Sequence, residues 1–332
     1  MAKRRLKNDN VRVLDSLPML IVCIAAVSAL YFVCLTKLAS NNTMRYMIQI
    51  FLYITMAQMW NLLSGFTGMT SLGQQLNIGL AGYSVAIATT KLHLSLGMGL
   101  LMGVGVSVVV ALLMSLILYR MEGMYFSIAT WVVAEIFEKL FLNWKYVGQG
   151  SGMTIRVVPY PRINEICVVA LTVCVLAVAA VYFLLRTRIG LGLTAMRDDI
   201  SAASAVGVNV FNHKLFVYTI AAAFTAVAAG IFLVNKGIVY PESGFSISWT
   251  ISLVFIVIVG GSGTVGGPIV GAVIYVFLQE YLARFPGWSN IILGAITILT
   301  ILFLPKGIMG TLQEKLGFEI FSAKRFSYSK RR

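Results

Sequence analysis

Charge is scarce in this sequence. Asp, Glu, Lys and Arg together make up 11% of its 332 residues, while 59% are hydrophobic; an ordinary soluble domain carries roughly 25% charged residues. Too little polar surface remains to cover a water-soluble fold, so the expected solvent is lipid. Histidine occurs twice, as His93 and His213. Each stands alone in a predicted loop, and neither a metal site nor a histidine-based catalytic centre is indicated. The four cysteines, Cys23, Cys34, Cys167 and Cys174, lie inside apolar runs without C-x-x-C spacing. Cys167 and Cys174 share a helix and are too far apart along it to pair, and all four read as packing residues rather than ligands. No G-x-x-x-x-G-K-[ST] loop is present to cradle a phosphate. Nor are there paired catalytic carboxylates or a nucleophile beside a base, which argues against an enzyme.

What is abundant is long apolar stretches. Spanning a hydrocarbon core takes about 20 apolar helical residues, and Ile166 to Leu185 is a charge-free run of that length. Pro18 to Leu35, Met47 to Leu63, Leu94 to Tyr119 and Trp288 to Leu304 are similar. Leu72 to Thr90, Gly123 to Leu142, Leu215 to Val234, Ile247 to Gly260 and Pro268 to Leu282 are weaker candidates. The expectation is an all-α polytopic bundle of about ten crossings, with eight plus two re-entrant segments as the alternative.

Basic residues set the expected orientation, because cytoplasmic loops carry the excess of Lys and Arg. A basic tail (1–17) precedes the transmembrane domain (18–304), and a second basic tail (305–332) follows it. With both tails cytoplasmic, seventeen of the 26 basic residues fall on the cytoplasmic side. The net charge of +14 then meets anionic lipid head groups. Without a soluble basic domain, nucleic-acid binding is not expected. The first apolar run is long and further spans follow, so it reads as an uncleaved helix rather than a signal peptide.

One stretch, "SLVFIVIVGGSGTVGGPIVGA" from Ser252, places Gly261, Gly263 and Gly266 in G-x-G-x-x-G spacing. A dinucleotide site would need an acid about 20 residues further on, where Arg284 and Phe285 stand instead; the nearest acid is Glu280. Close helix packing or a broken span explains the glycines better. Gly267 and Gly271 form G-x-x-x-G, and Gly260 and Pro268 complete a helix-break pattern tolerated at membrane depth only inside protein or beside a cavity. A second interrupted stretch, "SGFTGMTSLGQQLNIGLAGY" from Ser64, makes a pair of the kind that points to a transport path. Asn61, Ser71, Gln74, Gln75 and Asn77 cluster there. Two readings stand: they glue helices together, or they line a polar pathway. Glu135 poses the same choice, whereas Glu138 and Lys139 are expected to reach the interface.

The loop Arg186 to Lys214 is amphipathic, with Leu193, Met196, Ile200, Ala203 and Val206 or Gly207 at helical spacing and Arg197, Asp198 and Asp199 projecting elsewhere. It predicts a short helix ending at Gly207, which packs on its own protein or is gripped by a soluble partner.

These segments together resemble a family. "NLLSGFTGMTSLGQ", "GLAGY", "GMYFSIATWVVAEI", "GQGSGM", "RIGLGLTAMRDDISAASAVGV", "GGSGTVGGPIVGA" and "LFLPKGIMG" occur in order between Asn61 and Gly310. They are similar to the M-type permease subunit of bacterial ABC importers for branched-chain amino acids. Ser201, Ala202, Ala203 and Gly207 stand in the register of that group's E-A-A-x-x-x-G coupling segment, with Ser201 in place of the acid and Val217 to Ile220 in place of I-x-L-P. Asn77 replaces a usual aromatic, and Ala81–Gly82 replaces Gly-Ala. The resemblance implies a multi-pass inner-membrane permease forming half of a pathway for aliphatic amino acids. Its partners would be two ATPase subunits binding ATP and Mg, a second related permease and an extracytoplasmic solute-binding protein, with no cofactor on this chain. Urea or short amides are the alternative solutes, and an ion-coupled secondary transporter is a further alternative.

Overall fold

The computed structural model describes residues 16–36, 40–118, 120–285 and 288–316. Most of the two predicted basic tails, 1–15 and 317–332, lies outside the described residues. The chain runs as α1 (Ser16–Thr36), α2 (Asn41–Thr67), α3 (Gln74–Ala86) continued by a π-turn at Ile87–Lys91, α4 (Leu96–Leu118), α5 (Gly123–Asn143), α6 (Ile163–Arg186), α7 (Arg188–Asp198), α8 (Ile200–Ala205), α9 (Val210–Lys236), α10 (Pro241–Gly244), α11 (Ser248–Gly260), α12 (Gly267–Leu282), α13 (Ser289–Phe303) and α14 (Gly307–Leu316). A two-stranded antiparallel sheet, β1 (Met153–Thr154) with β2 (Ile238–Val239), pairs Met153 with Val239.

This is an all-α membrane protein. Among the described residues, five helical stretches are long and apolar enough to cross a membrane: Leu96–Leu118, Ile163–Arg186, Val210–Lys236, Pro241–Gly260 and Ile291–Glu314. The other predicted runs are helical too, but two of them have protein as their solvent. In α2 every residue from Phe51 to Leu63 is buried, and in α3 every residue is. Helices α6, α9, α11 and α12 pack around α2, and α4 and α9 flank α3. An encased helix need not be uniformly apolar, which is why these two hold Gln58, Asn61, Gln74, Gln75 and Asn77.

Successive connections gather at opposite ends of the bundle. At one end, Arg197 after α6 reaches Gly65 at the close of α2, and Asn61 reaches the loop between α11 and α12. Lys214 at the start of α9 meets Met121 and Glu122, the latter at 3.9 Å. At the other end, Thr90 donates to the Thr154 carbonyl at 2.8 Å, β1 pairs β2, and Tyr46 donates to Glu280 at 2.8 Å.

Several sequence expectations change here. Cys34 of α1 and Cys167 of α6 form a disulfide, with Cα atoms 5.9 Å apart, because α1 lies along α6; pairing rather than simple packing describes them. Cys174 is free and buried. His213 sits in the first turn of α9 instead of a loop, its Nδ1 2.7 Å from the Asn209 carbonyl oxygen. Residues 305–316 belong to the bundle rather than to a tail, since α14 packs on α11 and α12 with Met309 buried over Gly266.

Candidate functional site

The polar groups of α2 and α3 fall into two sets once their partners are traced. Gly68 in left-handed backbone (φ 76°) caps α2, and Trp60 Nε1 donates to the Ser71 carbonyl at 2.9 Å, folding the following loop back on the helix. Ser71 Oγ accepts from the Gly73 amide at 3.3 Å. Ser71 therefore serves the loop itself.

Asn61 serves the glycine loop. Its Nδ2 donates to the Thr264 carbonyl and its Oδ1 accepts from the Gly263 amide, both at 2.9 Å. One buried side chain thus satisfies two backbone groups in a loop that has no ladder of its own. Gly263 has φ +71°, and a Cβ there would stand 3.2 Å from the Gly65 carbonyl oxygen and 3.3 Å from Arg197 Nη1. Both the backbone conformation and the space call for glycine.

Gln58, Gln74, Gln75 and Asn77 form the other set. All four are buried. Gln75 Oε1 accepts from Thr250 of α11. Neither end of the Gln58 or Gln74 amide, nor Gln75 Nε2 or Asn77 Nδ2, has a hydrogen-bond partner among the described residues. A buried polar group left so costs about 1–3 kcal/mol, and native structures rarely carry several without a reason. The sequence reading missed Gln58 and Thr250. Gln58 precedes Asn61 by three residues and shares its side of α2, a signal that was present inside the apolar run.

The other predicted glycines cluster where α11 meets α12. Gly260 ends α11, Gly261 caps it, Gly266 precedes α12, and Gly267, Pro268 and Gly271 open α12. At Gly271 a Cβ would collide with the Ile256 carbonyl of α11, and at Gly260 with the Gly267 carbonyl. The two helices touch backbone to backbone, as a small-residue contact requires.

The predicted loop helix is two helices. Asp199 adopts extended backbone (φ −159°) and its Oδ1 accepts from the Ala202 amide at 2.9 Å; an N-cap inside the amphipathic pattern starts α8 anew. Leu193, Met196 and Ala203 are buried, but Val206 is 79% exposed, so the apolar face stops before Gly207, which has φ +89° and open space around it. Ser201 and Ala202 are exposed on α8. Arg197 is not simply projecting into water: its Nη1 donates to the Gly65 carbonyl at 3.2 Å while Nη2 meets Asp198 at 3.3 Å. The chain thereby ties α7, the end of α2 and the glycine loop into one junction.

Glu135 lies apart from both sets, on α5. It is 12 residues beyond Gly123, about 18 Å at 1.5 Å per residue, and about 12 Å from Asn143. It is half-buried and accepts from Trp131 Nε1 at 3.1 Å. Glu138 does not reach outward as expected. It is buried on the α5 face that packs inward, and its Oε1 accepts from Lys139 at 2.8 Å. The outer side of α5 from Trp131 to Trp144 is an open surface bordered by residues of this one segment. Among the described residues, α5 is not one of the five stretches long and apolar enough to cross a membrane.

A family model for the branched-chain amino acid transport system permease component matches residues 42–301. The chain is 24% identical over 303 aligned positions to the high-affinity branched-chain amino acid transport system permease protein LivM of Salmonella typhimurium, covering 82% of this chain and 71% of the relative. The LivM protein of Escherichia coli matches to the same extent. The LivH permease protein of Escherichia coli is 25% identical over 134 residues, 40% of this chain and 43% of its own. No solved structure matches the chain.

Proposed function

Because the chain belongs to the family of branched-chain amino acid transport system permease components, we propose that it is one permease subunit of an ATP-driven importer of leucine, isoleucine and valine. The observation that carries this reading is the family match across residues 42–301. The relatives include both LivM and LivH proteins of one organism, which supports a second, related permease as the partner. Two ATPase subunits would bind ATP and Mg, and a solute-binding protein would deliver the solute from outside the inner membrane. This chain makes and breaks no covalent bond and holds no cofactor in this scheme.

The proposed topology has ten crossings with both termini in the cytoplasm, supported by the basic-residue bias and by connections that gather alternately at the two ends. The end holding Arg197, Asp198, Asp199, Ser201, Ala202, Ala203 and Gly207 then faces the ATPases. Movement of α7 and α8 would reach α2 and the α11–α12 loop through Arg197, Gly65, Asn61 and Gly263, switching access to the pathway. Gln74, Gln75 and Asn77, with Gln58, are proposed to offer polar groups to that pathway; Asn61 and Ser71 hold its frame.

Uptake by the reconstituted complex tests the reading. Leucine uptake that requires ATP and is inhibited by isoleucine and valine is expected. Inhibition by urea but by none of the three would assign the chain to small polar solutes, and uptake driven by a proton gradient without ATP would refute the importer.

A further inference from the structure

We propose that the Cys34–Cys167 disulfide is formed on the extracytoplasmic side of the membrane and clasps α1 onto the rest of the permease. The clasp rests on the contacts of α1, and its compartment rests on the orientation proposed above.

α1 is lightly held apart from this bond. The family match begins at residue 42, so α1 (Ser16–Thr36) precedes the matched segment. Between Ala25 and Thr36, Cys34 is the one buried residue, and Phe32 and Leu35 beside it are 60% and 65% exposed. α1 lies along α6, where Tyr31 and Thr172 share a hydrogen bond at 2.8 Å. In lipid, apolar helices have no hydrophobic drive to associate and depend on close packing of small residues. The small residues Ala25, Ala26 and Ala29 are exposed instead of buried in such a contact.

Both cysteines lie at the end of the bundle away from Arg197. α6 closes at Arg186, next to α7, and Cys167 is near its opposite end. Arg162 and Glu165, exposed and joined by a hydrogen bond from the Arg162 amide at 3.1 Å, mark the water boundary there. Cys34 is two residues from the close of α1, which leads to the start of α2, whereas the close of α2 meets Arg197. With the ATPase-facing end cytoplasmic, the pair sits at the extracytoplasmic boundary, where disulfides persist; the cytosol keeps thiols reduced. Of the two described cysteines on α6, the one near that boundary is paired, and Cys174, about 10 Å deeper, is free. The oxidant is an extracytoplasmic thiol oxidoreductase. One cysteine thiolate attacks its disulfide, the second cysteine thiolate displaces it from the mixed disulfide, and the oxidant leaves as its dithiol with two electrons and two protons. Cys34 and Cys167 are both 0% exposed once folded, so this exchange precedes the docking of α1.

A protease site inserted immediately before Ser40, the exposed cap of α2, separates α1 from the remaining chain in the purified complex. After cutting, α1 should migrate with the rest of the chain in SDS and come away on adding dithiothreitol. With Cys34→Ser or Cys167→Ser it should come away without reductant. In mild detergent the cut Cys34→Ser complex should lose α1 while the cut wild type retains it. Chains made in cells lacking their extracytoplasmic thiol oxidant, and alkylated before extraction, should lack the bond. Release of wild-type α1 in SDS without reductant would overturn the disulfide, and that result needs no variant to fold. Retention of α1 by the cut Cys34→Ser complex would overturn the clasp, and an undiminished bond in cells lacking the oxidant would overturn the compartment. None of these readouts involves uptake, so failure of the importer reading registers separately, as a complex that imports none of leucine, isoleucine and valine.

Discussion

Asn61 and Gln74 are both buried amides, thirteen residues apart in the chain, yet their surroundings are opposite. Asn61 has each end occupied by backbone of the α11–α12 loop; Gln74 has neither end occupied among the described residues. The first is a structural clamp whose energy is fully used in holding a loop without secondary structure. The second carries unspent hydrogen-bonding capacity inside a helix that is otherwise packed. Burial alone cannot separate glue from pathway in such a core; the partner of each polar atom does.

The comparison predicts its own largest effect at the clamp. Asn61→Leu strands the Gly263 amide and the Thr264 carbonyl, each at about 1–3 kcal/mol, so a loss of about 2–6 kcal/mol in stability is expected. Thermal unfolding in detergent, read against expression level, measures it. Unfolding indistinguishable from wild type would mean that the loop does not depend on Asn61.

A smaller loss is expected at Gly263→Ala, where left-handed backbone costs a side chain about 1–2 kcal/mol and the added methyl presses on Gly65 and Arg197. The same unfolding assay should rank it below Asn61→Leu. Reversal of that order would place the strain of the junction in its backbone rather than in the amide bridge.

Arg197→Met removes the bond to Gly65 and should cost about 1 kcal/mol, reduced by the exposure of the guanidinium, 42% for the side chain. Its stronger signature should be functional. ATP hydrolysis by the assembled complex is expected to continue while leucine uptake falls, since α7 would no longer pull on α2. Coupled uptake at the wild-type rate would show that the junction does not transmit the movement.

The fold class and the helix positions were legible because apolar runs of membrane length leave little else for the backbone to do. Gly267 and Gly271 were legible too, since they stand at the four-residue spacing that signals close backbone approach, and a Cβ at Gly271 would meet the Ile256 carbonyl. Partners were not. Nothing in the sequence tells that Asn61 meets Gly263 across 202 residues, or that Arg197 turns back to Gly65 instead of outward. The Asp199 cap was readable in hindsight from an acid ahead of a short Ser-Ala stretch, but the apolar periodicity of Leu193, Met196, Ile200 and Ala203 ran through it and masked the break. Cys34 and Cys167 lie 133 residues apart, and only the packing of α1 along α6 brings them together. Glu138 shows the converse: its position on the helix was clear, but which face of α5 met the bundle was not.

The smallest stability effect is expected where the sequence looked most polar. Gln74→Leu replaces an amide that has no partner among the described residues with a hydrocarbon of similar length. Taking away an unsatisfied polar group is close to neutral or stabilising, while the branched end asks its neighbours to move slightly. The stability should therefore stay within about 1 kcal/mol of wild type. If Gln74 serves only packing, uptake should be equally untouched. If it serves the pathway, leucine uptake should fall although the subunit is as stable as before and still binds its ATPases. A Gln74→Leu subunit destabilised as much as Asn61→Leu would erase the distinction between the two amides, because it would mean that Gln74 also holds the fold together.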